Sequence, residues 1–81
     1  MANRYWVGGS GTWNTSTTNW SATSGGSGGA TAPNSGDNVF FDSNSGAGTV
    51  TISGAKDILS LNCTGYSGTF TSSGAFTIRG D

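Results

Sequence analysis

Apolar and polar residues alternate along much of this chain in runs too short for a helix. Thr49-Val50-Thr51-Ile52-Ser53 has period two, and Ile58-Leu59-Ser60-Leu61-Asn62-Cys63 puts Leu59, Leu61 and Cys63 on one face. Phe76-Thr77-Ile78-Arg79 turns Phe76 and Ile78 inward in the same way. Asn38-Val39-Phe40-Phe41-Asp42 is an apolar run of β type, and Gly68-Thr69-Phe70-Thr71 is a shorter strand. Together they predict strands of about five residues, most of them separated by Gly-containing turns.

The first part of the chain has a different texture. Tyr5-Trp6-Val7, Thr12-Trp13 and Thr17-Thr18-Asn19-Trp20 are split by Gly8-Gly9-Ser10-Gly11 and by Asn14-Thr15-Ser16, a pattern of short β segments and turns. Ser24-Gly25-Gly26-Ser27-Gly28-Gly29 has no side chain to bury and reads as a mobile surface loop. Pro33-Asn34-Ser35-Gly36-Asp37 reads as the turn that ends it, since Pro fixes φ and Asn and Gly tolerate positive φ. The expectation is one all-β domain over residues 1–81, with a Trp-rich head (1–23), a flexible Gly/Ser loop (24–32) and a strand-rich region (33–81).

The inward pair Val50/Ile52 is followed nine residues later by Leu59/Leu61, then by Phe70, then by Phe76/Ile78, with no connection long enough for a helix. Such an irregular short repeat fits a meander of antiparallel hairpins, closing into a sandwich-like module, or a short-stranded β-solenoid whose strands stack as rungs. The solenoid is the form whose unfinished terminal edge readily serves as a growth point.

Composition narrows the picture. Gly, Ser, Thr and Asn make up 47 of the 81 residues, and Leu, Ile, Val and Phe only 12, a poor supply of core. Three Trp, two Tyr and four Phe nevertheless argue against disorder. A chain this short is marginal by itself, which points to stabilisation by neighbours or by oligomerisation. Three Lys+Arg against four Asp+Glu leave no basic stripe for nucleic acid. No run reaches the roughly 18 apolar residues of a membrane helix, and the first residues lack the apolar stretch of a secretory signal. One cysteine and no histidine leave no internal disulfide and no Cys/His zinc site, and no cofactor is expected.

A family resemblance rests on Tyr5-Trp6-Val7-Gly8-Gly9-Ser10-Gly11-Thr12-Trp13-Asn14, then Asn19-Trp20-Ser21, then Pro33 through Phe41-Asp42. This order resembles the Trp/Gly-rich opening of phage and bacterial surface β-helix proteins. Thr49-Val50-Thr51-Ile52-Ser53-Gly54, Leu59-Ser60-Leu61 and Phe76-Thr77-Ile78-Arg79-Gly80 look like the strand repeats of autotransporter passenger domains and phage fibre-like proteins. The resemblance implies a long-stacked β fold and a structural role on a particle or cell surface.

Candidate sites are few. Trp6, Trp13 and Trp20 recur every seven residues and either form the core of the head or present ring faces to a glycan. Asp42-Ser43-Asn44-Ser45-Gly46 has the alternating oxygens of a calcium loop without its later Glu, and an ordinary Asx turn explains it as well. The Asn-x-Ser/Thr sequons at Asn14, Asn19 and Asn62 are expected by chance in so Ser/Thr-rich a chain. Arg79-Gly80-Asp81 spells an adhesion tripeptide but is also simple turn chemistry. With no His or Glu, the carboxylates Asp37, Asp42, Asp57 and Asp81 have no evident catalytic partner, and Cys63, alternating with Leu59 and Leu61, reads as a buried core residue.

The chain is therefore expected to be a non-enzymatic structural protein, a homo-oligomer or partner of other virion proteins, on a virion or extracellular surface. Trp6, Trp13, Trp20, Phe76 and Ile78 are its candidate contacts for self-association or glycan. The alternative is a carbohydrate-binding or adhesin module that uses exposed Trp residues.

Overall fold

A computed structural model describes residues 2–14, 17–72, 74 and 76–79, and these are all-β with no helix. The strands are β1 (Asn3–Trp6), β2 (Gly11–Trp13), β3 (Trp20–Ser21), β4 (Asn38–Phe40), β5 (Thr49–Ile52), β6 (Lys56–Ile58), β7 (Ser60–Asn62), β8 (Thr69–Ser72) and β9 (Phe76–Ile78). Each has two to four residues, shorter than the five expected from the alternation. Turns and corners interrupt the chain before a longer ladder can form.

Among the described residues the strands make three sheets, ordered β3-β1-β4-β7, β2-β5-β8 and β6-β9. Only β1 with β3 is antiparallel, pairing Tyr5 with Ser21 and Trp6 with Trp20. The other five pairings are parallel. Asn38 faces Ser60, twenty-two residues on, while Thr49 faces Thr69 and Lys56 faces Phe76, each twenty residues on. The inward pairs spaced by nine residues thus do not neighbour one another in a sheet. Parallel pairing puts like on like: Val39 lies over Leu61, Val50 over Phe70 and Ile58 over Ile78, so apolar columns build up on the inner side.

The twenty-residue offset is written in the chain. Gly48-Thr49-Val50-Thr51-Ile52-Ser53-Gly54-Ala55 and Gly68-Thr69-Phe70-Thr71-Ser72-Ser73-Gly74-Ala75 share six of eight residues, and Ile58 and Ile78 keep the same spacing. At the first pairing the offset is longer, Asn3 facing Asn38. The extra length goes into β3 and the loop that follows it.

The inner space holds Trp6, Trp13, Trp20, Val39, Phe41, Val50, Ile52 and Ile58, all buried, with Ala30, Ala32, Leu61, Tyr66, Phe70 and Phe76 packed against them. Burying the apolar body of each large side chain contributes about 1.5–3 kcal/mol, so a few aromatics compensate for the scarcity of aliphatic residues. The Gly/Ser stretch is tied down at intervals. Gly26 N–H donates to Thr23 O, Gly29 N–H to Thr17 O and Ala30 N–H to Trp20 O. Arg4 fastens its far side by donating from Nε and Nη2 to Thr31 O and Oγ1 at 2.7 and 2.9 Å.

Three sequence expectations fail at the end of the chain. Residues 58–63 are not one strand: β6 ends at Ile58, the chain turns at Leu59, whose N–H donates to Asp37 O, and β7 begins at Ser60. The corner breaks the period of two, so that Ile58 is buried, Leu61 half-buried and Cys63 exposed rather than a core residue. Ile78 stacks in register on Ile58 but is 46% exposed, since no strand among the described residues follows β9 to cover it.

Candidate functional site

The three tryptophans converge from β1, β2 and β3. Trp20 meets Trp6 edge-on at 5.2 Å and Trp13 edge-on at 5.0 Å between ring centroids. Phe41, one residue beyond β4, lies within 6 Å of all three and also meets Phe70 at 4.8 Å and Tyr66 at 5.2 Å. Edge-to-face geometry at these distances adds about 0.5–1.5 kcal/mol per pair to simple burial. Trp6 Nε1 donates to Gly9 O at 2.9 Å, which removes the cost of enclosing its polar edge. Phe41 is the hub of the cluster. The sequence pattern does not single it out, because Val39-Phe40-Phe41 reads as one apolar run.

Trp6, Trp13 and Trp20 are enclosed to within 1% exposure, so none offers a ring face to a sugar, and the glycan-contact expectation for them is withdrawn. Their emission should be blue-shifted, resist quenching by iodide and stay unchanged on titration with mono- and oligosaccharides. A red-shifted, readily quenched spectrum would contradict their enclosure.

The carboxylates hold turns together. Asp37 accepts from Ala2 N–H at 3.1 Å and Asn34 N–H at 3.0 Å, joining the Pro33 turn to the strand β1. Asp42 accepts from Asn44 N–H at 2.9 Å and Ser24 Oγ at 2.7 Å, while Ser45 Oγ accepts from Asp42 N–H. Residues 42–46 thus form an Asx turn whose carboxylate is engaged on both oxygens, with Gly46 at φ +84 completing the bend. No group of three or more His, Cys, Asp or Glu is placed to hold a metal among the described residues.

Asp57 of β6 pairs with Arg79, just after β9, through both guanidinium Nε and Nη2. Those charge-assisted bonds hold the Asp57 carboxyl below its ordinary 3.8 and raise the Arg79 guanidinium. Because the folded-state carboxyl is the stronger acid, its contribution is complete above about pH 4. It is lost as pH falls through the lower folded value. Acid should therefore lower the hydrogen-exchange protection of Arg79 N–H, which donates to Ile58 O, and Asp57→Asn should remove that acid dependence. Equal acid sensitivity in the variant would show that the pair does not hold β9. Of the Arg79-Gly80-Asp81 tripeptide, Gly80 and Asp81 lie outside the described residues, as does the carboxylate of Asp81. Partial burial pushes the Cys63 thiol upward, away from the thiolate that nucleophilic chemistry needs.

Two surfaces remain. On the outer side of the largest sheet, Tyr5 and Phe40 stack at 4.6 Å and 16°, beside a polar ladder in which Asn38 Nδ2 donates to Asn3 Oδ1 and Ser60 Oγ donates to Asn38 Oδ1. At the end formed by β7, β8 and β9, Leu61, Phe70 and Phe76 are half-buried against the core, Tyr66 packing on Phe70, and Ile78 is exposed. Each of these strands has a bonded neighbour on one side only. Phe76 packs edge-on against Trp13 at 5.5 Å. Of the five candidate contacts, Phe76 and Ile78 thus lie at this end, and the three tryptophans lie in the core. No pocket opens among the described residues.

Neither a protein-family model, nor a curated protein, nor a solved structure matches this chain.

Proposed function

We propose that this chain is a short β-solenoid module with a non-enzymatic, structural function, working through association at its strand edges as part of a virion or extracellular surface. The observation that carries this reading is the set of parallel ladders in which Thr49 meets Thr69 and Lys56 meets Phe76 twenty residues on, each corner turned without a helix. A polypeptide wound in this way presents edge strands at its ends, and edge strands pair with other chains unless something blunts them. The carboxylates Asp37, Asp42 and Asp57 serve turns and a strand tie, which is a scaffold's use of them.

The resemblance of the Tyr5 to Asn14 and Asn19 to Ser21 segments to phage and bacterial surface β-helix proteins supports the setting, with a fibre, decoration or tail-associated protein as its form. Immunogold electron microscopy of particles purified from the source culture tests it. Label on the particles is expected, and label confined to the soluble cell fraction would overturn the assignment.

A further inference from the structure

Among the described carboxylates only Asp37 is buried, at 6% exposure. Its Oδ1 accepts from Ala2 N–H at 3.1 Å and its Oδ2 from Asn34 N–H at 3.0 Å, both uncharged peptide donors. Enclosing a charge is costly unless an opposite charge is enclosed with it. The cationic side chains are engaged elsewhere: Arg4 donates to Thr31 and to Asn3 O, Lys56 to Ser53 O, and Arg79 to Asp57. An α-ammonium at Ala2 would supply the opposite charge from within the chain.

The sheet itself brings the Ala2 nitrogen to this carboxylate. Asn38 N–H donates to Ala2 O at 2.7 Å, and the parallel pairing of Asn3 with Asn38 fixes the residue that follows. Asn34 and Asp37 are joined in turn by Asp37 N–H donating to Asn34 O. Ala2 is a peptide nitrogen only while Met1 is attached, and its side chain is small, the kind beside which methionine-specific aminopeptidases cleave.

We propose that the Met1–Ala2 bond is a processing site, and that the mature chain carries a free α-ammonium at Ala2 paired with Asp37. Hydrolysis joins the oxygen of water to the Met1 carbonyl carbon, which leaves as a carboxylate, and both protons of the water end on the Ala2 nitrogen. Cleavage at this bond gives the same ammonium whatever precedes Met1. The amino group is charged at neutral pH, so the bond to Asp37 becomes charge-assisted, shorter and stronger than one from a peptide N–H. An ion pair then fastens the start of β1 to the Pro33 turn.

Intact mass and N-terminal sequencing of the native protein from its source test the cleavage. Ala2 should be the first residue, and a chain that keeps Met1 attached overturns the proposal. The pairing is tested by urea denaturation of the chain starting at Ala2, with its α-amino group free or acetylated. Acetylation keeps an N–H on Ala2 but removes the charge, and should raise the unfolding constant by about fivefold or more. In Asp37→Asn, shown by circular dichroism to be folded, acetylation should have far less effect. Where that variant does not fold, the nitrogen-15 resonance of the free Ala2 amino group serves in its place. Its titration should fall above the ordinary α-amino range of about 7.7–8.0, since the carboxylate favours the charged form. Equal stability of the free and acetylated forms, an equal acetylation effect in Asp37→Asn, or titration within the ordinary range would each overturn the pairing.

Discussion

Replacing Trp20 with alanine is expected to cost about 3–5 kcal/mol, the range for removing a large buried aromatic from a packed core. The side chain is fully enclosed, and it forms the edge-on contacts that join Trp6 of β1 to Trp13 of β2. A chain of this length has a total stability of roughly 4–12 kcal/mol, so the loss removes a large part of it and can remove all. Urea denaturation followed by circular dichroism should show a midpoint displaced strongly downward or no cooperative transition. Trp20→Phe, which keeps a ring edge in place, should lose clearly less. A loss below about 1 kcal/mol for the alanine variant would mean that Trp20 lies on the surface and that the end it covers is open.

Gly74→Ala is expected to be damaging out of proportion to its size, although it adds one methyl group at an exposed position. A Cβ at Gly74 would lie 2.5 Å from the Gly54 carbonyl carbon and 2.7 Å from Ala55 N, both backbone atoms that cannot step aside. Gly54 itself sits at φ +76, which a side chain adopts at a cost of about 1–2 kcal/mol. Each glycine thus serves a corner of the stack, and the upper rests on the lower. Overpacking at such a contact costs about 1–3 kcal/mol, here concentrated on β9, which should lose hydrogen-exchange protection at Thr77 and Ile78 before β5 and β8 do. Uniform protection in the variant would show that the two corners are not in contact.

Much of the fold was legible from side-chain period. The alternation in Thr49 to Ile52 gave a strand with Val50 and Ile52 inward, and the Pro33 to Asp37 turn forms where its residues suggest, closed by Asp37 N–H donating to Asn34 O. The tryptophans were legible as core by size alone, and as platforms by spacing alone; burial decides for the core. The period misled at Leu59, because alternation assumes a straight strand. A corner there lets Ile58 and Leu61, three apart, face the same interior, and turns Cys63 outward.

The partner of each strand was harder to read, since a short spacing between inward pairs favours joining neighbours in sequence. The stronger signal was the recurrence of Gly-Thr-x-Thr-x-Ser-Gly-Ala from residue 48 to residue 68. Identical segments at a fixed offset suit parallel pairing in register, which hairpins do not need. Phe41 went unrecognised because its importance comes from meeting rings on β1, β2, β3 and β8, contacts that no local pattern records.

Strands twenty to twenty-two residues apart lie side by side in parallel, and the rest of the fold depends on that pairing. Backbone proton–proton Overhauser contacts in the labelled protein measure this directly. Cross-strand contacts are expected to link Thr49 to Thr69, Thr51 to Thr71, Asn38 to Ser60 and Asp57 to Thr77, in parallel register. Contacts instead joining β5 to β6 and β7 to β8 in antiparallel register would contradict it, and would replace the stack with a meander of hairpins.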